Sequence, residues 1–200
     1  MSTHRSNIIL ASASPRRAEL LRKAGIEFQA KVSPHPEPSR KPAGIPIELW
    51  PMCLAYMKAD AVRRHLPRTR RQVVILGADT IVVEGERILN KARNRAHARR
   101  MLSSLSGKLH QVITGVCLLS GDGAHVRLAS ATATCRLHLT PRQLDAYLDT
   151  NLWKGKAGAY GIQDDHDPFV TLLKGDITTV IGLPVKMVLR ELENFAREGS

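Results

Sequence analysis

Apolar residues along the chain fall into short runs typical of buried strands, and these runs alternate with segments of helical period. Short strands that alternate with helices favour an α/β fold. The predicted strands are residues 8–11, 27–32, 73–83, 110–119, 126–139 and 169–173. The predicted helices are residues 15–24, 48–66, 94–105, 140–149 and 183–195.

The loop after the first strand leads directly into the first helix. Ser14 is a good N-cap, Pro15 suits the first helical position, and Gly25 is a good helix stop. Arg16 and Arg17 therefore stand at a helix N-terminus, where free N–H groups and the helix dipole attract anions. The stretch indicates a phosphate cradle, and an ordinary N-cap followed by solvated arginines is the alternative.

Asp79 interrupts the most continuous apolar run of the chain, V-V-I-L-G-A-D-T-I-V-V at residues 73–83. An ionised carboxylate in an apolar strand is costly unless it is paired or bound to a metal. Gly77 just before it allows a kink or the close approach of a ligand. The pattern favours a metal-binding carboxylate or a base, and a turn at Gly77 that lets Asp79 reach solvent is the alternative.

Several other polar stretches carry weaker signals. Residues 33–47 are rich in proline and are predicted to be a surface loop. Residues 63–71 contain a dense run of arginines without aromatic residues, which favours a solvated connection over a nucleic-acid platform. Residues 154–167 are polar and Gly-rich, and we expect a functional loop there. Helical periodicity alone places Lys58 on the surface. His110 and the other histidines are interpreted as ordinary surface or strand residues.

The composition indicates a globular protein with anionic partners. Thirty Lys and Arg against eighteen Asp and Glu give a net charge of +12, which favours nucleotides, nucleic acid or acidic surfaces. Three widely spaced cysteines lack the spacing of a metal site or a disulfide framework, so we expect a reducing compartment. No apolar run is long enough to span a bilayer. We therefore expect a cytoplasmic protein with no membrane partner.

Five motifs together resemble those of the Maf family of nucleotide pyrophosphatases, in family order and over most of the chain. They are L-A-S-A-S-P-R-R-A-E-L-L at residues 10–21, L-G-A-D-T-I-V at 76–82, L-S-G-K-L-H-Q-V at 105–112, K-A-G-A-Y-G-I-Q at 156–163 and V-I-G-L-P at 180–184.

The resemblance implies a fold and an activity. Maf proteins cleave nucleoside triphosphates between the α- and β-phosphates, which gives a monophosphate and pyrophosphate, and they need a divalent metal, usually Mg²⁺ or Mn²⁺. The implied fold is a curved mixed β-sheet with flanking helices, in two lobes around a central cleft, similar to that of inosine triphosphate pyrophosphatases. One Maf-like domain would cover residues 1–200. Family members are often homodimers, so a homodimer is also implied.

The resemblance also assigns residues to roles. The family's proton acceptor or metal-site residue falls on Asp79, and its two lysines fall on Lys58 and Lys91, which makes these three residues catalytic. A loop glutamate falls on Glu37, as a second metal ligand beside Asp79. The implied substrate-binding residues are Ser12, Arg16, Arg17, Thr80 and Gln163.

The same positions bear on base preference. Arg17, Thr80 and Gln163 match the subgroup that prefers dTTP and UTP. Two departures put base specificity in question more than reaction type. Asp164 stands where the family usually has glycine, and Lys91 lies in Asn-Lys-Ala instead of Gly-Lys-Pro.

Two alternatives to this assignment are open. The first is a nucleic-acid-binding or septum-related regulatory protein with a vestigial pocket, which the basic run at residues 63–71 permits. An intact set of Asp79, Lys58 and Lys91 argues against it, because a pure binding module needs no buried carboxylate. The second is a pyrophosphatase with a purine or 7-methyl-GTP preference, for which Asp164 is the motive.

Overall fold

Seven strands form one mixed sheet flanked by six helices in the computed structural model, which describes residues 8–32, 38, 40–67, 72–162 and 169–198. The strands are β1 Ile8–Leu10, β2 Phe28–Ala30, β3 Val74–Glu84, β4 Arg87–Leu89, β5 Leu109–Ser120, β6 Val126–Leu137 and β7 Val170–Lys174. The helices are α1 Pro15–Lys23, α2 Trp50–Arg64, α3 Arg95–Leu105, α4 Pro141–Asp149, α5 Ile177–Ile181 and α6 Val185–Glu198. The predicted α/β class, with a mixed sheet and flanking helices, is confirmed.

The strand order is β2-β1-β3-β5-β6-β7, and β4 pairs with β3 outside this path. β1 runs parallel to both of its neighbours, with Ile8 opposite Phe28 in β2 and opposite Val74 in β3. The β3–β4 and β6–β7 pairs are antiparallel. All three residues of β1 are buried, as its unbroken apolar sequence predicts for a parallel strand covered on both faces.

α1 begins and ends where its sequence signals predict. The backbone N–H of Arg17 donates to the hydroxyl of Ser14, which is the N-cap, and Pro15 is the first residue of the helix. Gly25 follows the last turn with φ +72°, a left-handed conformation that glycine adopts without strain. This cap holds the first loop against the helix N-terminus, as predicted.

α2 lies against the sheet at two glycines. A Cβ atom at Gly77 would lie 2.1 Å from the carbonyl oxygen of Ala55, and one at Gly115 would lie 2.3 Å from the backbone nitrogen of Met52. The close approach predicted at Gly77 is therefore made by the backbone of α2 rather than by a ligand. The alternative of a turn at Gly77 is wrong, because β3 continues through it and Asp79 is only 7% exposed.

The chain divides into two compact units. Unit 1 comprises residues 1–79, 114–130 and 182–200, and unit 2 comprises residues 80–113 and 131–181. The apolar core of unit 1 includes Ile9, Ala11, Ala55, Ala59, Val62, Val73, Ile75, Cys117 and Leu119. The core of unit 2 includes Val82, Leu89, Leu102, Leu105, Val112, Cys135, Leu137, Leu148, Ala159 and Tyr160.

Each predicted element begins and ends within three residues of the observed one. α2 begins at Trp50, after a single 3₁₀ turn at Ile47–Leu49. α5 was not predicted, because five residues are too few to display a helical period. It is started by Asp176, whose carboxylate accepts a hydrogen bond from the backbone N–H of Thr178 at 2.8 Å. Among the residues that the structure describes, no helix combines the length and apolar character that a bilayer span requires.

Candidate functional site

A buried ion pair joins α2 to β3 in unit 1. The ammonium of Lys58 donates a hydrogen bond to Oδ1 of Asp79, and the two side chains are 12% and 9% exposed. The periodicity-based prediction that Lys58 lies on the surface is therefore wrong. Lys58 follows Ala55 by one helical turn, and Asp79 follows Gly77 by two residues. The close contact of Ala55 with Gly77 thus brings the two charged side chains together.

Arg17, in the first turn of α1, is hydrogen-bonded to the loop that precedes the helix. Its Nη1 donates to the hydroxyl of Ser12 at 3.2 Å, and its Nε donates to the carbonyl oxygen of Gly182 at 2.8 Å. The backbone N–H of Ser14 donates to the same Ser12 hydroxyl at 3.2 Å. Arg17 is 9% exposed, so the alternative of a solvated arginine is wrong at this position.

Arg16 differs from its neighbour in its hydrogen bonding. Its side chain is half-buried, and its Nε is buried with no hydrogen-bonding partner among the residues that the structure describes. A buried donor without a partner is destabilising, whereas an anion at the helix N-terminus would supply the missing acceptor. Of the two arginines, Arg16 is therefore the one that suits a bound phosphate.

The register of the parallel strands brings the first loop near Asp79. Leu10 lies opposite Leu76, and the backbone N–H of Ala11 donates to the carbonyl oxygen of Leu76 at 2.8 Å. Ser12 directly follows Ala11, and Asp79 lies three residues after Leu76 in β3. Four predicted site residues of unit 1 thus form two hydrogen-bonded pairs, Ser12 with Arg17 and Lys58 with Asp79.

Two further predicted residues belong to unit 2. Thr80 directly follows Asp79 in β3 and is half-buried. Lys91 is exposed and follows β4, where its backbone forms an isolated antiparallel bridge with Ala157. Glu37, Gln163 and Asp164 lie outside the described residues.

The side chains of the site suit a hard cation, such as Mg²⁺, that binds together with the phosphates of a substrate. Asp79 offers a carboxylate, and Mg²⁺ in phosphate sites commonly takes one or two protein carboxylates together with water and phosphate oxygens. Nowhere in the described part of the chain are three His, Cys, Asp or Glu side chains grouped closely enough to hold a metal ion. The residues present therefore fit a cation shared with the substrate, with Asp79 as its ligand from the described residues.

Part of the basic run at residues 63–71 is neutralised within α2. Asp60 is buried and forms ion pairs with Arg63 at 2.8 Å and with Arg64 at 2.7 Å. Residues 68–71 lie outside the described residues. The first two arginines of the run thus have a structural role at the end of the helix, which weakens the nucleic-acid alternative.

One buried polar group in unit 2 was missed by sequence reasoning. Nε2 of His110 and the hydroxyl of Tyr160 are 2.5 Å apart, and both residues are less than 5% exposed. Burial lowers the pKa of His110 to about 4, although the Lys108 backbone and the Glu84 carboxylate oppose this shift. Fifty residues separate the two side chains, so no local spacing signals the pair.

Comparison with known proteins finds relatives over almost the whole chain. A family model described as Maf-like protein matches residues 7–195. A dTTP/UTP pyrophosphatase of Bacillus anthracis is 42% identical over 94% of this chain and 95% of that protein. One of Bacillus cytotoxicus is 42% identical over 94% of each chain. A solved dITP/XTP pyrophosphatase from Mycobacterium abscessus is 13% identical, with a TM-score of 0.43 over 96% of both chains, which is too weak a likeness to carry an argument.

Proposed function

Because the chain belongs to the Maf family, we propose that it is a pyrophosphatase that hydrolyses dTTP and UTP to the monophosphate and pyrophosphate. The curated relatives named dTTP/UTP pyrophosphatase support the reaction, since their 42% identity extends over nearly their whole length. The observation that carries the proposal is the buried ion pair between Lys58 and Asp79. The hydrogen bond from Arg17 to Ser12 in the first loop supports it.

The cations of the site would neutralise the triphosphate. A nucleoside triphosphate carries several negative charges, so its hydrolysis requires cations on the phosphate oxygens. We assign this role to Arg16, Lys58 and Lys91. Arg16 is the first candidate, because its buried Nε lacks an acceptor within the described residues. The guanidinium also suits the bidentate recognition of phosphate.

Asp79 would act as the base for the attacking water. Its Oδ1 accepts the hydrogen bond from Lys58, so we assign the proton of the water to the second oxygen, Oδ2. Mg²⁺ or Mn²⁺, when bound by Asp79 with Glu37 as the further proposed ligand, would withdraw charge from the phosphate oxygens. Lys58 would keep the carboxylate oriented while the proton is transferred.

Base preference rests on three positions. Thr80, Arg17 and Gln163 match the subgroup that prefers pyrimidine triphosphates, and relatives named dTTP/UTP pyrophosphatase support this preference. Arg17 is bonded to Ser12 and Gly182, so its contribution would be to hold the first loop in shape. A purine or 7-methyl-GTP preference would point instead to Asp164, which follows Gln163.

The test is product release from a nucleotide panel of dTTP, UTP, CTP, GTP, 7-methyl-GTP and ITP, with Mg²⁺ and then Mn²⁺. Pyrophosphate and orthophosphate are assayed separately, and Asp79→Asn is the control. We expect pyrophosphate from dTTP and UTP, and almost none from the variant. Pyrophosphate from another base would contradict the preference alone. No turnover, together with salt-dependent binding to random DNA, would favour a binding module.

We also propose a cytoplasmic homodimer. The family resemblance supports the dimer, and three cysteines without a disulfide support a reducing compartment. Light scattering on the purified protein should give twice the 22.1 kDa mass of the chain. A mass of one chain at micromolar concentration would contradict the dimer.

A further inference from the structure

Residues 156–160, which we call the tethered turn, contain a strained and fully buried alanine. Ala159 has φ +63°, which lies in the left-handed region of backbone conformation. Residues other than glycine and asparagine rarely adopt it. Its relative exposure is 0%. Strain of this kind persists only where the surroundings determine the backbone conformation, and it is concentrated at functional sites.

One end of the tethered turn is bonded to the segment that carries Lys91. Ala157 forms an antiparallel bridge with Lys91, and the backbone N–H of Gly158 donates to the carbonyl oxygen of Leu89 at 3.1 Å. A Cβ atom at Gly158 would lie 3.0 Å from Val82 in β3. The position of the Lys91 backbone is therefore coupled to the conformation of the tethered turn.

The other end of the tethered turn is fixed by Tyr160. Its hydroxyl is 2.5 Å from Nε2 of His110 in β5, and the two rings meet edge to face with centroids 5.3 Å apart. Cys135 of β6 is buried in the same apolar core as Tyr160. Burial raises the pKa of Tyr160 and lowers that of His110 to about 4, so at neutral pH the group carries no charge.

We propose that Tyr160, held by His110, is a positioning residue that fixes the tethered turn and, through it, the backbone of Lys91. The proposal rests on the proposed function for the role of Lys91. It goes beyond that function because Tyr160 itself touches no substrate. The bonds at both ends hold the turn in the conformation that strains Ala159, and the methyl group of Ala159 restricts the alternative conformations open to its backbone.

Ala159→Gly separates a positioning role from a merely structural one. Glycine adopts φ +63° without strain, so the variant should unfold at the same temperature as the wild type or higher. It also frees the turn, so kcat/KM for dTTP should fall roughly tenfold through misplacement of Lys91. A structural role alone predicts that stability and activity change in the same direction.

Asn151→Gly is the matched control. Asn151 also has a left-handed backbone, with φ +61°, but it is exposed and lies in the turn after α4. Glycine there also replaces a left-handed residue and widens the backbone freedom, but it leaves the tethered turn untouched. We expect unchanged kinetics for this variant.

Hydrogen exchange tests the proposal independently of catalysis. In Ala159→Gly and in Tyr160→Phe, the amides of Lys91 and Ala92 should exchange faster, with Asn151→Gly as the unchanged reference. If the wild type hydrolyses no nucleotide, the proposed function fails, and the exchange result still decides the positioning claim. Exchange at Lys91 that stays at the wild-type rate in both variants would overturn it.

Discussion

The Lys58–Asp79 pair of unit 1 and the tethered turn of unit 2 are organised by different forces. In unit 1, Lys58 and Asp79 form an ion pair with little exposure to solvent. Arg17 donates hydrogen bonds to the hydroxyl of Ser12 and to the carbonyl oxygen of Gly182. In unit 2, a neutral histidine forms a hydrogen bond with the phenol of Tyr160, which directly follows a strained alanine. The first region holds groups suited to charged chemistry, whereas the second restrains a backbone.

This difference has an energetic consequence. Removal of one partner from a buried ion pair leaves an uncompensated charge, which costs about 3–5 kcal/mol. Removal of one partner from a neutral hydrogen bond costs about 1–3 kcal/mol. Variants in unit 1 should therefore have the larger effect on stability, and their effect should depend on which charge remains.

The largest effect is expected at the ion pair. Lys58→Met should lower kcat for dTTP by on the order of 100-fold or more and destabilise the fold by about 3–5 kcal/mol, because Asp79 stays buried and unpaired. Urea unfolding and steady-state kinetics measure the two quantities. The double variant Lys58→Met/Asp79→Asn should be more stable than Lys58→Met but equally inactive.

The next effect is expected at His110 on acidification. Its pKa of about 4 lies below the ordinary 6.5, so the unfolded chain binds the proton first and stability falls as pH decreases through this interval. The loss should reach about 3 kcal/mol between pH 6.5 and 4 for this residue alone. Urea unfolding of wild type and His110→Gln at both pH values isolates it. Equal losses in the two proteins would show that the charge of His110 is not the cause.

A smaller effect is expected where α2 approaches β3. Gly77→Ala places a Cβ atom 2.1 Å from the carbonyl oxygen of Ala55, so the helix must move. We expect a destabilisation of about 2 kcal/mol, and a fall in kcat because Lys58 moves with α2. Gly85→Ala is the control, since Gly85 has open space and only a left-handed φ of +58°. If both variants had the same kcat, the position of α2 would not control the position of Lys58, and this prediction would be wrong.

The smallest effect is expected at the two arginines in the first turn of α1, Arg16 and Arg17, which should respond differently to substitution. Arg17→Lys should lower stability by about 1 kcal/mol, because lysine cannot donate to both Ser12 and Gly182 in the same geometry. Arg16→Lys should leave stability nearly unchanged but raise KM for dTTP. The comparison is made by thermal unfolding and kinetics on both variants. The reverse pattern would mean that Arg17 is the phosphate ligand.

Local signals predicted the elements of the first region well. The N-cap at Ser14, the strand through Asp79 and the helix that carries Lys58 all follow from patterns within a few residues. The pairing of Lys58 with Asp79 does not, because it depends on the contact of α2 with Gly77, a residue far from the helix in the chain. The family resemblance indicated Lys58 where periodicity had placed it on the surface.

The second region was largely beyond prediction. His110 and Tyr160 lie fifty residues apart, and their hydrogen bond depends on the sheet that places β5 beside the tethered turn. The strain at Ala159 is likewise invisible in the sequence, since alanine is ordinary in most conformations. The polar, Gly-rich composition of residues 154–167 and the family motif at residues 156–163 indicated that this part of the chain is functional, but neither indicated how it is held.

The chain passes between the two units four times, and three of these passages lie inside β3, β5 and β6. No continuous stretch of the gene therefore encodes either unit, and genetic recombination cannot transplant one of them as a module into another protein. The passage in β3 falls between Asp79, the proposed base, and Thr80, a proposed selectivity residue. Two adjacent codons thus encode the proposed base in one unit and the proposed selectivity residue in the other, and the two are inherited together.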